Sequence, residues 1–66
     1  MNKFIVLTNN VGPHKGDPIL INSGYIVTVL DLPSDNGYIT KVFTAMNVEY
    51  EVEESARTIY KMIEDK

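Results

Sequence analysis

Apolar and polar residues along this chain fall into short blocks that predict five strands and one helix. The clearest block is 48–53, where Val48, Tyr50 and Val52 alternate with Glu49, Glu51 and Glu53. A strict two-residue period of this kind predicts a strand with one buried and one wet face. In 55–65, Ala56, Ile59, Tyr60 and Ile63 recur at helical spacing with Met62 on the flank. They predict an amphipathic helix whose N-cap is Ser55. Thr58 stands where a reciprocal capping box would need Glu or Gln. So short a helix is marginal alone in water, so its stripe must lie on a sheet.

The densest apolar run is 18–31, rich in β-branched residues and broken once, at Asn22-Ser23-Gly24. It predicts two strands, 18–22 and 25–31, meeting at a tight corner where Gly24 can take a positive φ. The second of them is apolar at nearly every position, which predicts burial on both faces. A first strand is read at 3–8. The strand at 38–44 alternates imperfectly, with Tyr38, Thr40, Val42 and Thr44 against Ile39, Lys41 and Phe43, and neither face is apolar enough to be assigned to the core.

Turn chemistry separates these elements. Residues 9–17 collect two Asn, two Gly and a Pro and predict a loop. Residues 32–37 end in Asn36-Gly37 and predict a hairpin loop. Ala45-Met46-Asn47 fits a three-residue hairpin with Asn47 in the left-handed conformation. The assembled expectation is one α+β domain. Its five-stranded antiparallel meander is bent or half-closed into a small barrel, with the C-terminal helix packed on it.

Size adds a constraint. A chain of 66 residues buries only about 60% of the surface that its unfolded form exposes. With no cysteine, disulfides and thiolate metal sites cannot compensate. Association of copies is the remaining device, so a homo-oligomer is expected, formed through an exposed strand edge or the outer side of the helix. The run at 18–31 is too short and too broken to span a membrane as a helix. The apolar run at 4–7 is only four residues long and no small-residue cleavage site follows it. A cytoplasmic protein is the expectation.

The net charge of −3 is unevenly placed. Residues 1–48 balance Lys3, Lys15 and Lys41 against three aspartates, whereas 49–66 carry six acids against Arg57, Lys61 and Lys66. Without a basic cluster, nucleic acid and anionic membrane are poor partners, because phosphate neutralisation supplies most of that affinity.

Ile21, Asn22 and Ile26 at the centre, followed by Tyr50, Val52, Glu54, Ser55, Ile59 and Ile63, carry a resemblance. The order of strand, corner, strand, hairpin and closing helix resembles the small flagellar and swarming motility (FlbD-type) proteins and their uncharacterised phage-encoded relatives. The likeness spans 17–63. It differs in a longer loop at 12–16 and in Asn47 where the pattern has Gly. It implies a small non-enzymatic protein of regulation or assembly, bacterial or phage in origin, and brings no catalytic residues with it.

Candidate chemistry is sparse. His14, the one histidine, sits beside Lys15 in a Gly/Pro loop with Asp17 as its nearest acid. That set cannot supply the three or four ligands of a zinc site, and the loop lacks phosphate-cradle spacing. His14 and Lys15 are therefore candidate partner contacts. Glu49, Glu51 and Glu53 set three carboxylates at about 7 Å intervals along one strand face. They could mimic a nucleic-acid backbone toward a basic protein, or serve as a charged face guarding an edge strand. A straight strand does not wrap the six to eight oxygens that calcium takes. Tyr25, Tyr38, Tyr50 and Tyr60 are potential stacking platforms without an interleaved basic groove. Tyr50 and Tyr60 fit core positions, and Tyr38 is expected to be exposed. Ser23, Ser34 and Ser55 all fall at turns or caps. The reading is a non-catalytic protein-interaction module without cofactor. An acidic nucleic-acid mimic and a single-strand-binding small barrel stand as alternatives.

Overall fold

The computed structural model describes residues 3–64. Its strands are β1 (Phe4–Thr8), β2 (Pro18–Asn22), β3 (Ile26–Ser34), β4 (Gly37–Thr44) and β5 (Glu49–Val52), followed by helix α1 (Ala56–Glu64). The α+β class and the element order match expectation; the predicted helix end at Asp65 lies outside the described residues. The strands do not form one continuous meander. They make two antiparallel sheets, β1-β2 and β3-β4-β5, and the described residues contain no closed sheet.

The break between sheets falls at the corner 22–25. Gly24 does not take a positive φ there; the glycines that do are Gly12, Gly16 and Gly37. Instead Ser23–Tyr25 form a right-handed 3-10 turn, whose backbone needs no left-handed residue. The Gly24 amide donates to Asn22 Oδ1 at 2.9 Å. The other turns follow their residues more closely. Asn47 has φ 62°, and the Thr44 amide donates to the Val48 carbonyl across that turn at 2.9 Å. The predicted loop at 32–37 is shorter than expected, since pairing runs on to Ser34 opposite Gly37. Only Asp35 and Asn36 turn, and Gly37 at φ 118° completes the reversal.

The two sheets meet where β1 runs out. Asn9 bridges Val52, the Asn10 amide donates to the Glu51 carbonyl at 3.0 Å, and the Glu53 amide donates to the Thr8 carbonyl at 2.9 Å. The core lies behind this seam: Ile5 and Leu7 of β1, Ile21 of β2, Val42 of β4, Val52 of β5 and Ile59 of α1 are buried. Ile19, Ile26, Val29, Tyr50 and Met62 pack against them.

Three packing expectations are corrected. β3 is not enclosed: Val27 is 67% exposed and Leu30 41%. It is the outer strand of its sheet, and the register shift between Ile26 and Thr28 breaks its alternation. Ile26 and Val29 pack against the core, while Val27, Thr28 and Leu30 are exposed. Val48 is also exposed, because β5 begins at Glu49 and Val48 still belongs to the turn. On α1 the covered stripe is Ala56, Ile59 and Met62, and Tyr60 is 63% exposed. So small a sheet covers little more than one line of side chains along the helix.

Two carboxylates join helix to sheets. β4 turns Thr40 and Val42 inward, making Thr40 a buried polar side chain. Its hydroxyl donates to Asp31 Oδ1 at 2.7 Å, and the same oxygen accepts from the Ala56 amide at 3.0 Å. Asp31 thus satisfies a first-turn amide of α1 from another element, while Ser55 Oγ accepts from the Thr58 amide at 3.2 Å as the N-cap. Glu54 takes both the amide and the hydroxyl of Thr8, each at 2.8 Å. Burial pushes the Glu54 carboxyl up, but the hydrogen bonds from the Thr8 amide and hydroxyl, with one from its own backbone, together outweigh it and hold the pKa below the ordinary value.

Replacing Asp31 by Ala removes a helix-terminal acceptor and strands a buried hydroxyl, at a cost of about 2 kcal/mol. Asp31→Asn keeps the acceptor oxygen and loses less than half as much, both read by urea unfolding at one fixed protein concentration. Because the folded pKa of Glu54 is depressed, its contribution is present above the unfolded value and is lost as pH falls through the folded one. Glu54→Gln therefore unfolds more easily by on the order of 1 kcal/mol at pH 7. It also loses part of the acid-side slope of stability against pH, measured by unfolding between neutral pH and pH 3.

Candidate interaction surface

The acidic strand face is not a free rod of charge. β5 lies next to β4, which sets Lys41 opposite Glu51 and Phe43 opposite Glu49. Lys41 Nζ reaches Glu49 Oε2 at 2.6 Å, and the hydrogen-bonded Glu49 carboxylate, aided by its charge, raises the Lys41 pKa. Asn10 Nδ2 donates to Glu51 Oε2 at 3.1 Å. Glu53 is exposed. Of the three carboxylates, one is neutralised and one is tied to the neighbouring sheet. β5 is not a bare edge either, since the residues after β1 pair with its C-terminal half.

The loop from Asn9 to Asp17 is a compact reversal. The Asn9 amide donates to the Asp17 carbonyl at 2.8 Å and the Gly16 amide to the Asn9 carbonyl at 2.7 Å. Gly12 and Gly16 supply the positive φ that this closure requires. His14 Nδ1 lies 3.3 Å from Asp17 Oδ2 with both side chains well exposed, and Lys15 is exposed beside them. Among the described residues no group of three or more His, Cys, Asp or Glu could hold a metal ion. No contact among the described residues joins His14, Lys15, Tyr38 and the β5 glutamates into one site, and Tyr38 stands 76% exposed opposite Pro33 beside the turn at Asp35 and Asn36. Ser55 caps α1, and Ser23 Oγ accepts from the Lys3 amide at 3.3 Å, a contact 20 residues apart along the chain.

The most developed surface feature was not predicted. In β1, Ile5 and Leu7 are buried while Phe4 and Val6 point outward, 62% and 53% exposed. Val6 pairs with Leu20 of β2, which is 64% exposed, and Pro18 on the same strand is also exposed. The β1-β2 ribbon is thus apolar on both faces and covered on one. Its outer face runs into a groove of about 420 Å³ lined by Phe4, Leu20, Tyr25, Met46, Val48 and Tyr50, among others. Among the described residues no charged side chain lines it. The sequence signal was the unbroken Phe4-Ile5-Val6-Leu7, four apolar residues in a strand that can turn only two of them inward. No helix among the described residues is long and apolar enough to cross a membrane. No family model, curated protein or solved structure matches the chain.

Proposed function

We propose that this chain is a small non-catalytic assembly module that works as a homo-oligomer. The observation that carries the reading is an imbalance of burial. Among the described residues six apolar side chains form the core, while twelve large ones stand exposed. A domain with so few buried groups has a thin stability margin, and a second surface over the exposed ones supplies what a larger core would. The resemblance to small motility-type proteins and their phage-encoded relatives points the same way, toward assembly or regulation. The bend between the two sheets, seamed at Asn9 and Val52, makes the five strands one half-closed unit in this reading.

The acidic-mimic alternative loses its main support to the Lys41–Glu49 pair and the Asn10–Glu51 hydrogen bond. A single-strand-binding role has no basic groove to rest on.

Sedimentation equilibrium from micromolar to millimolar protein is expected to show a self-associated species. The thermal midpoint should rise over the same range, because binding to the native state stabilises it by mass action. A monomer throughout, with a midpoint independent of concentration, refutes the reading.

A further inference from the structure

Building on that reading, we infer that the outer face of the β1-β2 ribbon, centred on Val6 and Leu20 and flanked by Phe4 and the adjoining groove, docks a second copy of this chain. The copies meet face to face about a two-fold axis. Three observations select this surface and this occupant.

The first is extent. Phe4, Val6, Leu20, Tyr25, Met46 and Val48 are each 41–81% exposed. Together they present on the order of 700 Å², near the roughly 800 Å² that each partner brings to a standard interface. The second is charge. The chain carries −3 and its acids are concentrated from Glu49 onward. Yet among the described residues the groove lining is uncharged, as are the outward positions Phe4, Val6, Pro18 and Leu20. A basic partner would find nothing here to read, whereas two identical copies can meet without opposing like charges. Polar groups sit at the ends of the ribbon, where Thr8 holds Glu54 and Asn22 faces Phe4. This is the apolar centre and polar rim of an interface.

The third is the poverty of the alternatives. The outer edge of β3 carries Pro33 and the register shift at Ile26 and Thr28, both of which obstruct edge-to-edge pairing. On α1, exposed Tyr60 stands between Arg57, Lys61 and Glu64, a wetted surface. A self-complementary face needs no companion of different shape, because each Val6–Leu20 pair can lie over its own symmetry mate.

The test uses the full chain. In Val6→Lys/Leu20→Lys the side chains are exposed in the free protein, so the fold is retained, as checked by far-UV circular dichroism and dispersed amide resonances. Each substitution occurs twice in a two-fold interface, and the dissociation constant measured by sedimentation should weaken at least a hundredfold. Val27→Lys on the β3 edge and Tyr60→Lys on α1 should leave it within about threefold of the parent. The chain has no cysteine, so a single introduced thiol reports position even if the double variant fails to fold. Val6→Cys should form covalent dimers with a short bifunctional maleimide, and Tyr60→Cys should not. An oligomer indifferent to the ribbon substitutions but lost with Val27→Lys or Tyr60→Lys overturns this interface and leaves self-association standing. Equal cross-linking at both cysteines overturns it too. A parent that is monomeric at every concentration removes both.

Discussion

The constraint on which this structure depends is that its two sheets share one core. One has only two strands, which alone are marginal in water, and the buried Val42 and Val52 of the other lie in one core with Ile5, Leu7 and Ile21 of the first. The sheets are held by a seam one residue pair wide, Asn9 with Val52, and by the side chains that converge behind it. Leu7, Val42, Val52 and Ile59 come from four different elements and are essentially free of water. Removing any one element therefore opens the core to the others. The polar contacts are arranged around this point. Glu54 ties the chain leaving β5 to the end of β1, and Asp31 ties β3 and β4 to the start of α1. Both carboxylates work at element ends, where unpaired amides and hydroxyls would otherwise face a half-dry junction.

Local chemistry was legible in the sequence and long-range coverage was not. The turn at Asn47, the cap at Ser55 and the inward Val52 all follow from one residue and its immediate neighbours, and the structure keeps them. The enclosure of 25–31 failed because continuous apolarity says that a strand prefers burial, while only the other elements decide whether something covers it. β3 lies at a sheet edge with one helix to share, so Val27 and Leu30 stay wet. Tyr60 failed for the same reason. Helical spacing identifies a stripe about 100° wide, but the sheet beneath is narrow enough to take only Ala56, Ile59 and Met62.

The candidate site was legible in composition and misplaced in space. Three glutamates at alternate positions read as an open acidic surface until β4 sets Lys41 within reach of one and the β1 extension brings Asn10 to another. Those partners lie 8 and 41 residues away along the chain, beyond any local pattern. Asp31 and Glu54 were equally hidden, since a single acid beside a strand or before a helix carries no periodic signal. Phe4 and Val6 were visible in principle. A strand that is apolar at every position but lies in a two-stranded ribbon has one face more than its own domain can cover.

That surplus face connects the thin core to the proposed association. If the ribbon were optimised only for the monomer, polar residues at Phe4, Val6 and Leu20 would leave Ile5, Leu7 and Ile21 undisturbed, because the two sets point to opposite sides. Keeping them apolar contributes nothing to the isolated core and raises the hazard of non-specific clustering. The arrangement is consistent physically when a specific surface covers them. Docking a second ribbon would place two more strands behind β1 and β2 and turn a half-covered pair into the middle layer of a larger core. Folding and association then become one equilibrium, in which the stability of each copy is set by the concentration of the other.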